Sequence, residues 1–286
     1  MRQAQQALHD GKLDDALGVY QKELAANPNS PQANNAAGTV LDLMGKGADA
    51  RKYFQRAIDA AADAAAKANA QRQMAMSYAF EGDCRNTVRF EQMAIAYWVT
   101  REQAEPQNAF YQQGEVANEA ARVCLDAGDL ETAAAWYRKG AESGLKEPGN
   151  ETHPKSLWQF RLEHALARIA ARQGNKAEAQ KHAAAAKAAL DGDPKMAAQQ
   201  ARFLPYLTGY VALYTGDSKT ALQELQKAVA MPGNAADPFL QCLLGMTYAK
   251  LGEKEKAREC YRQASATTAH NPPAAFARPF ARKKLG

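Results

Sequence analysis

The chain has 286 residues, with 36 lysines and arginines against 31 aspartates and glutamates, a net charge of +5 and 46% apolar residues. That apolar share can fill a continuous core, but no run of about 18 or more apolar residues exists, so nothing reads as a membrane-spanning helix. Arg278, Arg282, Lys283 and Lys284 at the C-terminal end supply four of the five net charges. The remainder is near neutral, and a chain-wide basic surface for nucleic acid is not supported.

Seven glycines punctuate the chain: Gly11, Gly45, Gly82, Gly128, Gly174, Gly216 and Gly252, at intervals of 34, 37, 46, 46, 42 and 36 residues. A period in this range marks a stack of repeated units. Seven residues before each glycine stands a small residue, in order Ala4, Gly38, Ala75, Ala121, Ala167, Gly209 and Gly245. Five after it stand Ala16, Ala50, Thr87, Ala133, Ala179, Ala221 and Ala257, and nine after it most often an aromatic or aliphatic residue. Two antiparallel helices around a tight turn bring the first two positions opposite each other, where only small side chains let the backbones approach. The glycine suits a helix end that turns left-handed, and Asp83, Asp129 and Asp217, directly after their glycines, can cap the next helix.

In chain order the spacing predicts helical hairpins at about 1–30, 31–64, 68–101, 107–143, 155–190, 196–231 and 238–265, followed by a basic tail at 266–286. The three longest intervals carry extra residues within Arg101–Gln113, Gly144–Ser156 and Asp191–Gln200, punctuated by Pro106, Pro148, Pro154 and Pro194. They predict elongated first helices in repeats four to six, for example from about Gln107 to Ala127. No strand-like alternation occurs. The expected fold is all-α, a right-handed α-solenoid of about seven antiparallel helix-turn-helix hairpins.

Set against known repeats, the chain resembles the tetratricopeptide repeat family, whose unit carries a W-L-G-Y-A-F-A-P pattern. The second repeat matches through Gly38, Gly45, Ala50, Phe54 and Ala57, and the seventh through Leu244, Gly245, Tyr248, Gly252, Ala257, Tyr261 and Ala264. The first fits through Gly11, Ala16, Tyr20 and Pro28, whereas the third has Thr87 and Glu91 where alanine and an aromatic are usual. The pattern's tryptophan is missing throughout, and its proline is in register only at Pro28. The resemblance spans about residues 1 to 265.

Chemistry of an enzymatic kind has no motif here. His9, His153, His164, His182 and His270 show no metal-ligand spacing, and no P-loop, G-x-G-x-x-G or G-x-S-x-G is present. No catalytic residue, metal or cofactor is expected. Cys242 and Cys260 flank the last hairpin and read as either a disulfide or, in better accord with base rates, two small buried residues. Cys84 and Cys124, in adjacent repeats, give a weaker case for pairing. With Met1 leading straight into helical sequence, the chain reads as cytoplasmic as written, or periplasmic or secreted if a leader has been removed.

The resemblance implies a concave groove lined by the first helix of each hairpin. Counting back from the turn glycines, repeats two to four offer Asn35, Thr39, Asn69, Arg72, Gln73, Asn118, Glu119 and Arg122, a polar stretch suited to a peptide backbone. Repeat five offers Arg161, His164, Arg168 and Arg172, a cationic stripe. Repeat six offers Phe203, Tyr206, Tyr210, Leu213 and Tyr214, an aromatic stripe beside it, though Phe203 and Leu213 also suit a core. Arginine forks bind carboxylates, and tyrosines give rigid contact area with a polar tip. Asn118, Arg122, Arg161, His164, Arg168, Arg172, Tyr206, Tyr210 and Tyr214 are therefore the candidate partner-binding residues. The family's carboxylate clamp for chaperone tails is matched only in part, because its lysines are absent.

The leading reading is a non-catalytic adaptor that docks an extended peptide of a protein partner. The alternative is a small-ligand receptor using the arginine and tyrosine wall of repeats five and six. In the tail, Phe276 and Phe280 are expected to cap the last hairpin while the bases stay in water. A basic arm for an acidic partner, nucleic acid or an anionic membrane is the sharper but weaker reading.

Overall fold

The computed structural model describes residues 2–149 and 152–286; Met1, and Asn150 and Glu151 inside the expected insertion Gly144–Ser156, lie outside the described residues. Among the described residues there are sixteen α-helices and no strand. Seven hairpins stack in chain order: α1 (Arg2–His9) with α2 (Leu13–Ala26), α3 (Pro31–Leu43) with α4 (Gly47–Asp59), α5 (Ala64–Ala79) with α6 (Cys84–Val99), and α7 (Pro106–Ala127) with α8 (Leu130–Gly144). They continue with α9 (Lys155–Arg172) and α10 (Lys176–Asp191), a short α11 (Pro194–Gln200) ahead of α12 (Phe203–Tyr214) and α13 (Ser218–Ala230), and α14 (Pro238–Lys250) with α15 (Lys254–Ser265). A last helix, α16 (Pro272–Leu285), follows. The protein is an α-solenoid, and no helix of the described residues is long and apolar enough to cross a membrane.

The turns explain the glycines. All seven adopt positive φ, between 69° and 94°, a region where a Cβ clashes. At Gly128 this conformation lets the Asp129 N–H reach back to the Cys124 carbonyl at 2.9 Å, closing α7. The following aspartates then open the next helix: Asp83, Asp129 and Asp217 accept from the N–H groups of Asn86, Thr132 and Thr220 at 3.0, 3.1 and 3.0 Å.

Within a hairpin, the residue nine after the turn glycine sits over the small residue seven before it. A Cβ on Gly38 would lie 2.7 Å from the Phe54 ring, one on Gly209 2.7 Å from Leu225, and one on Gly245 2.5 Å from the Tyr261 ring. Phe54, Leu225 and Tyr261 are buried, so these three hairpins are each keyed by one large side chain dropped into a gap left by glycine. Repeat three keeps the geometry with Glu91 as the key. Glu91 is fully buried and neither carboxylate oxygen has a hydrogen-bond partner; burial, then the nearby Glu119, raises its pKa well above the ordinary carboxylate value, so it is seated in neutral form.

The central repeats vary the plan. α7 is the longest helix at 22 residues. Repeat six does not extend its first helix as expected but breaks it between α11 and α12. Pro205 has no N–H to give to the Ala201 carbonyl, which accepts instead from Leu204 at 3.2 Å. Trp158 on α9 wedges between hairpins where Gly114 and Gly144 leave room; a Cβ on either would lie 2.5 or 2.1 Å from its ring.

The cysteines follow the favoured reading in the last hairpin and pair where the case is weaker. Cys84 at the start of α6 and Cys124 on α7 form a disulfide with Cα atoms 4.7 Å apart, while Cys242 and Cys260 are buried free thiols. Cys242 is turned to the third helix against it, its thiol 3.4 Å from the Ala277 carbonyl on α16, which the two-helix picture of the hairpin left out.

The tail covers the last hairpin and makes a second contact that the sequence reading lacked, with Arg278 buried while Arg282, Lys283 and Lys284 are exposed. α16 lies on α14 and α15, with Phe276 stacked on Phe280 at 5.1 Å and Phe280 edge-on to Tyr261 at 6.0 Å. Its other side reaches the opposite end of the array, packing Ala274 and Ala275 with Leu43, Met76, Phe80 and Val123 of α3, α5 and α7 and the turn after α5. Arg278 does not stay in water. It is buried and donates to the carbonyls of Leu43 at 2.8 Å and Ser265 at 2.7 Å, the last residues of α3 and α15. Two helix C-termini, each carrying partial negative charge, thus hold one guanidinium.

Two measurements check this packing. Gly144→Ala drives a methyl into Trp158 and is expected to lower unfolding free energy by about 1–3 kcal/mol in urea titration, as overpacking does, whereas Gly192→Ala, with open space around it, stays within about 0.5 kcal/mol. Non-reducing peptide mapping is expected to recover the Cys84–Cys124 cross-link with Cys242 and Cys260 alkylated only after denaturation. Because the bonded cysteines are 40 residues apart, reduction is expected to cost about 4 kcal/mol.

Candidate functional site

The first helices of the hairpins form one face, and α16 touches that face at α5, α7 and α14 and, through Arg278 and the Leu43 carbonyl, at the end of α3, so the face curves around it and is concave. Between α7, α9, α12 and the start of α16 lies a chamber of about 280 Å³. Arg122 comes from α7, Arg161, His164 and Arg168 from α9, Tyr206 from α12, and Pro272 and Pro273 form the wall contributed by the tail.

The chamber's charges are mostly paired across repeats. Arg161 bonds Glu115 on α7 and lies over the Trp158 ring at 4.9 Å. Arg72 on α5 bonds Glu119 on α7 at 2.7 Å. Arg122 pairs with Asp126 one turn along α7 at 3.0 Å and covers the Phe239 ring at 4.0 Å. Arg168 is the exception. It is 4% exposed, and among the described residues no carboxylate lies within ion-pair distance of it. Its guanidinium donates only to the hydroxyls of Tyr137 at 3.0 Å and Tyr206 at 3.2 Å, and its Nε–H has no acceptor. An arginine cannot shed its charge, and a buried charge without a counter-ion is unfavourable.

His164 adds no charge. Burial, reinforced by Arg168 and Arg122, pushes its pKa well below the ordinary histidine value, and its Nε2 has no partner. The chamber therefore holds a fixed cation next to a neutral imidazole, with Phe160, Phe203 and Tyr206 as apolar walls.

Six of the nine candidate residues, Asn118, Arg122, Arg161, His164, Arg168 and Tyr206, line this one chamber. The other three do not. Tyr210 is a correction: it is fully buried, 4.6 Å from the Tyr214 ring and 6.5 Å from that of Phe239, and is core in this structure. The reason is that α12 is apolar nearly all round and is covered on more than one side. Tyr214 and Arg172 pack together outside the chamber, guanidinium over ring at 5.0 Å. Of the polar residues in repeats two to four, Gln73 is engaged by His270 at 3.2 Å, and Asn69 and Arg72 line a neighbouring cleft closed by His270, Asn271 and Pro272.

Sequence reasoning missed Glu115, Tyr137 and the tail prolines. Glu115 had a signal, since it precedes Arg161 by 46 residues, the local repeat interval, so acid and base share one register position in adjacent repeats. Tyr137 occupies a hairpin-key position, and nothing in that pattern shows that its hydroxyl reaches the concave side.

Comparison with known proteins agrees with this architecture. Two family models, both described as tetratricopeptide repeat, match residues 1–67 and 240–266. No curated protein matches the sequence. Among solved structures, the chain is similar to a tetratricopeptide repeat protein from Parabacteroides merdae, at 15% identity and a TM-score of 0.52, covering 99% of this chain and 95% of that one. It is also similar to the apo form of RapI, at 11% identity and a TM-score of 0.51, covering 99% and 96%. At these identities the likeness concerns the fold alone. Tetratricopeptide repeats are thus matched at both ends of the chain, and the four hairpins between them continue the same helical repeat fold.

Proposed function

We propose that this protein is a non-catalytic protein-interaction scaffold that receives an acidic side chain of an extended partner peptide in the chamber around Arg168. Tetratricopeptide repeat proteins generally mediate protein–protein interactions and are typically not catalysts. The observation that carries the finer reading is Arg168 itself, a buried guanidinium without a carboxylate and with an unbonded Nε–H. A partner carboxylate would complete its hydrogen bonding and neutralise it. The apolar rings beside it suit an aliphatic or aromatic neighbour in the same peptide. At about 280 Å³, the chamber is at the lower edge of ligand-sized pockets, and it suits one side chain with some of its backbone.

Selection of random displayed dodecapeptides on the full chain tests this. Wild type is expected to enrich sequences with Asp or Glu beside an apolar residue, and Arg168→Gln to lose about 10- to 100-fold in affinity for them, the worth of a charge-assisted hydrogen bond. Recovery of peptides without an acidic position, or equal binding by the variant, overturns the reading.

Because the cation is an arginine and His164 stays neutral, peptide affinity is expected to vary less than about twofold between pH 8 and 6. Folding stability behaves differently. His164 has its folded pKa depressed, so its contribution is present above the unfolded value of about 6.5 and is lost as pH falls, since the unfolded chain takes up a proton the folded one refuses. Urea titrations at successive pH values are expected to show this acid-side loss in wild type and a flatter profile in His164→Gln.

A further inference from the structure

We propose that the contact between α16 and the ends of α3, α5 and α7 is a latch, which holds the solenoid closed on its concave face and opens without unfolding it. The two sides of α16 are built differently. Toward α14 and α15 its small residues Ala277 and Ala281 are fully buried against Cys242, Ala257, Tyr261 and Ala264, and Phe276 and Phe280 stack there. That side is a packed cap.

The other side is porous. Besides the chamber under Pro272 and Pro273, three clefts of about 210, 250 and 220 Å³ have one wall from residues 270–282; the other wall comes from the ends of α3, α5 and α7 and the turns beside them in the first two, and from the middle of α5 and α7 in the third. Between these clefts the seam is held by one buried apolar patch, Ala274 and Ala275 against Leu43, Met76, Phe80 and Val123, and by a few further interactions. Two of them are polar and specific. Arg278 reaches the Leu43 carbonyl across 235 residues of chain. His270 lies 2.9 Å from Asp42, which also accepts from Ser77 at 2.8 Å, and stacks on Phe80 at 5.1 Å.

The topology allows such opening. Repeat contacts are made mainly with neighbours, so a solenoid flexes as a spring while each hairpin stays intact. The contacts of α16 and of His270 just before it are the main ties between the first half of the array and its last hairpin, beside Arg122 of α7 over the Phe239 ring of α14 at 4.0 Å. If they part, α16 travels with α14 and α15 as one capped unit, and Pro272 and Pro273 leave the chamber. A peptide of the kind proposed above would then reach Arg168 along an open groove, which is the one point where this inference rests on that reading.

The test uses the full chain with His270→Gln and Arg278→Gln together, and separately the milder Arg278→Lys. Small-angle X-ray scattering is expected to show a larger radius of gyration and maximum dimension than wild type, with unchanged helical circular dichroism and a single cooperative unfolding transition. If the open form is about a tenth of the wild-type population, removing the latch tightens apparent affinity for the selected acidic peptide about tenfold. Scattering identical to wild type in the double variant overturns the latch. So does loss of helical structure in both variants, because the seam is then part of an indivisible core. Expansion with unchanged affinity overturns its gating role. If no acidic peptide binds either protein, the functional reading fails while the scattering still decides the latch.

Discussion

The close approach of paired helix backbones, enforced by glycine or alanine at facing positions, governs the rest of this molecule. At Gly38, Gly209 and Gly245 the space a Cβ would take is filled by the key residue of the partner helix. That fit fixes how tightly each hairpin closes, and repetition fixes how the array curves. With seven hairpins the curve brings the first quarter of the chain within hydrogen-bond reach of the last twenty residues, as the Arg278 to Leu43 bond records. The concave chamber and the tail's position follow from that curvature.

The inner face solves the problem of buried cations in two ways. Arg278 is held by helix-terminal carbonyls, whose partial charges are fixed by α3 and α15 and need no counter-ion. Burial and the neighbouring Arg282 still pull its pKa down to about 10, leaving it charged at neutral pH. Arg168 has only two phenol hydroxyls and the faces of tyrosine rings, with Tyr137 5.6 Å and Tyr206 6.0 Å from its guanidinium carbon. Phenols solvate a cation without neutralising it. The difference separates a structural arginine from one whose interactions are incomplete within the chain.

The repeat was legible in the sequence because a helical hairpin needs small residues at fixed offsets from a left-handed turn, and those needs leave identities behind. Arg122, Arg161, His164, Arg168 and Tyr206 could be brought to one wall by register alone. Tyr210 could not be separated from Tyr206, since they lie one turn apart on the same helix face and both pack near Phe239. Only the tertiary packing leaves Tyr206 at the chamber while it buries Tyr210 completely. The disulfide escaped for a related reason. Spacing ranks cysteines within a hairpin above cysteines in neighbouring hairpins, yet Cys84 and Cys124 are brought together by the stacking of α6 on α7. The tail's second contact was beyond reach, because it depends on the summed curvature of seven units, to which each irregular interval adds its own error.

Repeat three shows how much polarity the interior tolerates beside that contact. Asp42, Glu91 and Glu119 lie around α5, and burial raises the pKa of each before any partner acts on it. Asp42 recovers through Ser77 and His270, and Glu119 through Arg72, while Glu91 is left neutral in an apolar key position. Apolar residues of similar size would serve stability as well or better. What a polar seam adds is directionality: His270 bonds Asp42 on α3 and Gln73 on α5, and Arg278 donates to Leu43 on α3 as well as Ser265 on α15, so the array closes in one register. Selectivity of closure, with apolar adhesion confined to the patch around Ala274 and Ala275, is the property expected of a contact that can be made and broken.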